Sequence, residues 1–129
     1  MEPSPKDPEV FNLLKRILFL HKRAFKENEK KANAHKKYIT GTKEITRHLE
    51  SSPNDIKLVV VAGDSGSEMC ERFENIQLMC HQNGILFKKA LTRRIISKIV
   101  GIPRQVSSIA ILNYEGGDEE YEAVLKMTP

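Results

Sequence analysis

Apolar positions fall first at helical spacing and then into short runs that alternate between extended and helical patterns. Val10, Leu13, Leu14, Ile17, Leu18 and Phe25 recur every three or four residues, with Lys15, Arg16, Lys22 and Arg23 between them, which predicts an amphipathic helix from Pro8. Asp7 is a suitable N-cap, with proline in the first turn. Three prolines among residues 1–8 predict a disordered segment there, and residues 9–129 form the expected domain. From Lys26 to Lys37 the periodicity fades into a polar, basic stretch that reads as a solvated connector. A short extended piece, Tyr38-Ile39-Thr40, then meets Gly41. Beyond it Ile45 and Leu49 lie one turn apart and predict a helix with Lys43, Glu44 and Arg47 on its exposed side.

The second half alternates. Ile56 to Ala62 is apolar enough for a strand buried on both faces. Gly63 to Ser67 is a loop whose Ser67 can cap a helix, with Met69, Phe73, Ile76 and Cys80 inward and Gly84 at its end. Ile85-Leu86-Phe87 opens a strand running towards Leu91. Thr92 caps a helix with Ile95, Ile96, Ile99 and Val100 inside and Arg93, Arg94 and Lys98 outside. Val106 to Leu112 is a third strand, Gly116-Gly117 a turn, and Asp118 the cap of a last helix carrying Tyr121, Val124 and Leu125. Helices alternating with strands imply an α/β fold, a three-layer α/β/α sandwich with a small mixed sheet.

A chain of 129 residues, 40% of them apolar, supplies one domain with a real core. Its longest apolar run within the first helix, Ile17 to Leu20, is far below the roughly 18 residues that a membrane helix needs. The first residues also lack the apolar centre of a signal peptide, so a soluble cytoplasmic protein is expected, with the nucleus as a second location. Cys70 and Cys80 sit at the two ends of one predicted helix, about 15 Å apart by its rise, and read as reduced core cysteines. No CxxC or HxxxH pair offers two metal ligands, so no metal is expected; His21, His35, His48 and His81 read as surface residues.

Charge is polarised along the chain. Residues 1–47 carry 12 Lys and Arg against 6 Asp and Glu, whereas residues 114–129 carry 1 against 5. A side that faces a polyanion has this character, although many soluble domains share it. The helix that starts at Gly41 adds a more pointed signal, because free N–H groups at a helix start suit a phosphate; a plain turn at Gly41 stays open.

Catalysis finds no support. Ala62-Gly63-Asp64-Ser65-Gly66-Ser67 follows a strand as a phosphate loop would, but the lysine and the spacing of such a loop are missing. Ser65 and Ser67 have no histidine close in sequence to act as base, and Asp64 with Glu68 is better explained by capping and solvation. A non-enzymatic protein without cofactor is expected.

Residues 11–127 resemble the kink-turn-binding ribosomal protein superfamily of the L7Ae and L30e type, and within it the branch that binds the selenocysteine insertion sequence (SECIS) of selenoprotein mRNAs. Thr40-Gly41-Thr42-Lys43-Glu44-Ile45-Thr46-Arg47 matches the family's helix start, with a basic residue, Lys43, as in the SECIS-binding branch. Phe87 to Tyr114 aligns without a gap, and Lys22 to Phe25 and Lys36-Lys37 are similar to that branch. Ile96-Ser97 replaces a leucine-glycine pair, Gln105 replaces a frequent proline, and the Gly63–Ser67 loop is short. The resemblance implies that Thr42, Lys43 and Glu44 face sheared G·A pairs, Glu44 accepting from guanine N–H groups, with Arg47 adding polar contacts. It implies that Ile102, Pro103 and Arg104 cover a flipped-out base, and that Lys37, Thr40, Gly41, Glu68, Arg72 and Arg93 complete the RNA site. Its implied role is selenocysteine incorporation at UGA codons by a monomer, with the ribosome and the selenocysteine elongation factor as further partners and no membrane. A structural part of the ribosome or of a small ribonucleoprotein is the alternative.

Overall fold

The computed structural model describes residues 8–34 and 36–126. Pro8 already belongs to helix α1, Pro8–Glu27, and the rest of the expected disordered segment lies outside the described residues. Val10, Leu13, Leu14, Ile17 and Leu18 form the buried face of α1, as their spacing predicts, but Phe25 is exposed. The stretch expected to be a solvated connector instead contains a short helix, α2, Glu29–Ala34. Asn28 Oδ1 accepts from the Lys31 N–H at 3.1 Å and caps it, while Ala32 is buried beneath it. Two alanines were too little to stand out among the polar residues of Lys26 to Lys37.

Strand β1, Tyr38–Thr40, leads into α3, Thr42–Ser51, followed by a turn of 3₁₀ helix and strand β2, Leu58–Val61. A second 3₁₀ turn, Ser67–Met69, precedes α4, Cys70–Gln82. Strand β3, Leu86–Lys89, helix α5, Arg93–Val100, strand β4, Ser108–Ile111, and helix α6, Asp118–Leu125, complete the elements of the described residues. The short extended piece at Tyr38 is thus a full member of a four-stranded mixed sheet of order β1-β4-β2-β3. β4 runs antiparallel to both of its neighbours, and β2 and β3 are parallel.

Strand alternation splits the core in two. Leu58, Val60, Ile109 and Ile111 pack against α1, α5 and α6 on one face. Val59, Val61 and Ala110 pack against Ile45 and Leu49 of α3 and Phe73, Ile76 and Cys80 of α4 on the other. Every residue of β2 and β4 is therefore buried, and the architecture is the three-layer α/β/α sandwich that the sequence implies.

Several local expectations are corrected. Ser67 caps no helix through its side chain, because the 3₁₀ turn intervenes and Met69 occupies the cap of α4. Asp118 is the first residue of α6 and Gly117 the cap, and Leu125 faces solvent. Cys70 is exposed and only Cys80 is buried. His21 is half-buried, its ring edge-on to Tyr38 with centroids 5.2 Å apart; His35 lies outside the described residues. Thr92 does cap α5, its Oγ1 accepting from the Ile95 N–H at 3.2 Å.

Candidate nucleic-acid interface

Strand register gathers distant segments at one end of the sheet. Thr40 faces Ile109 across β1 and β4, and Val61 faces Ser108 and Lys89 across its two neighbours. The chain leaving β1, β2 and β3 and the chain entering β4 therefore meet. Backbone bonds lace them together: Gly41 N–H to Ser108 O (3.2 Å), Ala62 N–H to Ser107 O (2.8 Å), Ala90 N–H to Val61 O (2.9 Å) and Gly63 N–H to Leu91 O (3.0 Å). In open α/β sheets the space beyond such strand ends is where ligands bind.

The tip of α3 is the most prominent part of this end. Gly41 has φ of +94° and ψ of 138°, a conformation that side chains disfavour, and no side-chain hydrogen bond caps the helix it opens. Ile45 and Leu49 are buried and hold the helix down, so Lys43, Glu44 and Arg47 are left exposed on the opposite arc. Glu44 and Arg47 pair at 3.5 Å, yet both are at least half exposed, so the pair adds little stability. What it does is orient a carboxylate beside a guanidinium. Between α3 and α4 a groove is lined by Thr42, Lys43, Thr46, Arg47, Arg72 and Asn75.

The remaining site residues arrive from three loops. Arg93 is held by the loop after β2: Asp64 Oδ1 accepts from its backbone N–H at 2.9 Å and lies 3.7 Å from its Nε. Glu68 is exposed in the 3₁₀ turn, folded over Gly66 so closely that a Cβ there would collide with its carboxylate. Before β4, Gly101 takes the left-handed conformation and, with Ile102, donates to Ser97 O at 2.9 and 3.4 Å. Ser97 Oγ accepts from the Val106 N–H at 2.6 Å and closes the far side of that loop. Ile102 packs against the core, while Pro103 and Arg104 point outward. Lys37 does not join this end: it precedes β1, where its carbonyl accepts from the N–H groups of Leu112 (2.8 Å) and Asn113 (3.2 Å).

Leu91, in the turn that receives Gly63, is buried with φ of +67°, an uncommon strain for a leucine, maintained by the lacing around it. Nothing in its sequence context signals this. Asp64, which holds Arg93, and Asn75, which lines the groove beside α3, carry no sequence signal beyond a loop position and a helix surface position.

A model of the ribosomal protein L7Ae/L30e/S12e/Gadd45 family matches residues 23–120. The chain belongs to this family. The matched span runs from within α1 to within α6 and so contains the whole sheet and every segment of the laced end. Among curated proteins it is similar to the mouse (Mus musculus) selenocysteine insertion sequence-binding protein 2-like, 25% identical over 127 residues that cover 95% of this chain and 12% of that protein. It is also similar to the rat (Rattus norvegicus) selenocysteine insertion sequence-binding protein 2, 23% identical over 133 residues, 95% of this chain and 15% of that protein. The chain thus spans about an eighth of the curated relatives it matches. Among solved structures, the Giardia lamblia 15.5kD RNA binding protein shares the fold with a TM-score of 0.66 at 17% identity, over 93% of this chain and 85% of that one.

Proposed function

We propose that this L7Ae-type domain binds RNA without catalysing a reaction, and that its target is a kink-turn. The reading rests above all on one observation: the α3 tip, with its uncapped start and exposed Lys43, Glu44 and Arg47, stands at the same sheet end as the Ile102–Arg104 loop. RNA is recognised through shape, backbone charge and bases freed from stacking. A helix start offers N–H groups and cations to phosphates, and Glu44 is an acceptor for guanine N–H groups in sheared G·A pairs. Ile102 and Pro103 offer apolar cover for a base turned out of the stack.

Within that class the favoured target is the SECIS element, in support of selenocysteine incorporation during translation in the cytoplasm, with the ribosome and the selenocysteine elongation factor as further partners. The similarity to SECIS-binding proteins over 95% of the chain, together with the basic Lys43, supports this choice. A ribosomal or small ribonucleoprotein component is the second reading, favoured by the family's ribosomal members. A gel-shift panel at fixed salt, with SECIS RNA, ribosomal and small nucleolar kink-turns and a straight duplex, separates them. SECIS RNA should bind tightest, and Glu44→Ala and Arg47→Ala should each cost about 1–3 kcal/mol of binding while leaving the melting temperature unchanged. Equal affinity for the straight duplex would overturn the kink-turn assignment.

A further inference from the structure

A cleft opens next to the α3 tip, between the end of α1, helix α2 and strand β1. His21, Asn33, Lys36, Tyr38, Thr40 and Glu44 line it. Thr40 and Glu44 also belong to the tip, so the cleft is continuous with the proposed interface rather than a separate hollow. β1 is an edge strand, so among the described residues no further strand covers this side of it.

The chemistry of the walls favours an anion. Between residues 22 and 37 there are seven Lys and Arg against two Glu, and one of the two, Glu27, already faces Arg23 at 3.7 Å. The one carboxylate lining the cleft, Glu44, is drawn to Arg47 at 3.5 Å. Lys36 is exposed at the cleft, and α2, fixed by its Asn28 cap and by buried Ala32, contributes Asn33 to the same lining. His21 Nδ1 is buried with no hydrogen-bond partner. Burial and the charges of Lys37 and Lys36 lower the His21 pKa, which places both lysines within electrostatic reach of the ring. The Nδ1 atom itself is closed off from solvent, so the polar groups the hollow offers to a ligand are the Asn33 amide and the Lys36 ammonium.

We propose that this cleft is a second RNA subsite, holding a backbone phosphate of the stem that continues from the bent motif seated on the α3 tip. The inference rests on the RNA-binding reading above. Lys36 supplies the charge, and Asn33 supplies a neutral donor. A contact of this kind carries no sequence information; it fixes the register of the RNA on the protein and adds salt-dependent affinity.

Fluorescence anisotropy with one labelled SECIS RNA, both stems intact, over a series of salt concentrations tests it on the wild-type chain and on Lys36→Gln, Lys36→Arg, Asn33→Ala and Glu44→Ala. Lys36→Gln should weaken binding about 3- to 10-fold and lower the slope of log K against log salt by about 1, while Lys36→Arg keeps both. Asn33→Ala should weaken binding without changing the slope. Lys36 and Asn33 are exposed, so unchanged melting temperatures are expected to accompany these losses. Wild-type affinity and slope in both Lys36→Gln and Asn33→Ala, with Glu44→Ala still impaired, would remove the cleft and leave the α3 tip as the site. Binding of SECIS RNA no tighter than that of a straight duplex run alongside, together with an inert Glu44→Ala, would instead overturn the kink-turn reading of the α3 tip and the subsite with it.

Discussion

The backbone N–H of Gly41 donates to the carbonyl of Ser108 at 3.2 Å. Sixty-seven positions of chain separate the two residues, yet this bond ties the start of α3 to the first residue of β4, and hence to the loop that carries Pro103 and Arg104. The start of α3 and the start of β4 are consequently held together by the sheet itself, a rigid support.

Gly41→Ala tests that support. Open space surrounds the position, with nothing within 4 Å of a built Cβ, so the substitution meets no clash. Its cost comes from the backbone, held at φ of +94°, and should be about 1–3 kcal/mol in urea unfolding. RNA affinity should fall further than the residual folded fraction explains, because relaxing the turn moves the tip.

Ser97→Ala probes the loop before β4. It leaves the N–H of buried Val106 without the acceptor now 2.6 Å away, an expected loss of about 1–3 kcal/mol. Hydrogen exchange should speed up at Val106 and its loop neighbours and stay unchanged at Val59 and Val60 in the centre of β2. Uniform acceleration across the sheet would show that the hydroxyl acts on global stability and not on the loop.

His21 gives a pH signature. Burial first, then Lys37 and Lys36, lower its pKa below 6.5 in the folded state, so the unfolded chain takes up the proton first as pH falls. Stability contributed by the neutral ring is therefore complete above 6.5 and is lost as pH drops from there through the folded value. Urea midpoints of the wild type and His21→Gln, compared across that window, should converge or cross on the acid side, and a constant difference would show that the ring does not titrate with folding.

The two cysteines should behave differently towards an alkylating reagent. Burial pushes the Cys80 thiol up to about 11, leaving little thiolate at neutral pH and no access to it, whereas Cys70 is exposed. Mass spectrometry of native protein should find one modified thiol, at Cys70, and two only after denaturant is added. Rapid labelling of Cys80 in the native state would show that α4 opens locally.

Long amphipathic patterns were legible without a structure because burial along a helix or strand repeats at a fixed period. Val10 to Leu18, Ile45 with Leu49, and the apolar β2 and β4 runs declare which faces turn inward, and these faces suffice to specify three layers. Gly41 and the charged residues behind it likewise mark a helix start in the sequence. Helix α2, with its single buried Ala32, carries too weak a period to be read, and the caps at Met69 and Gly117 depend on the short turns before them.

What the amino-acid order determined by itself is local: elements, their buried faces, and the residue types at the α3 tip. Pairing was left to the tertiary structure. That β1 joins the sheet at its edge, that β4 runs between β1 and β2, and that Asp64 reaches Arg93 all follow from contacts between residues far apart in sequence. No periodicity records such contacts, because they are fixed by strand register and by the packing of two cores at once. The same register brings the start of α3, the turn before Arg93 and the start of β4 to one end of the sheet, and leaves Lys37 at the far end of its strand.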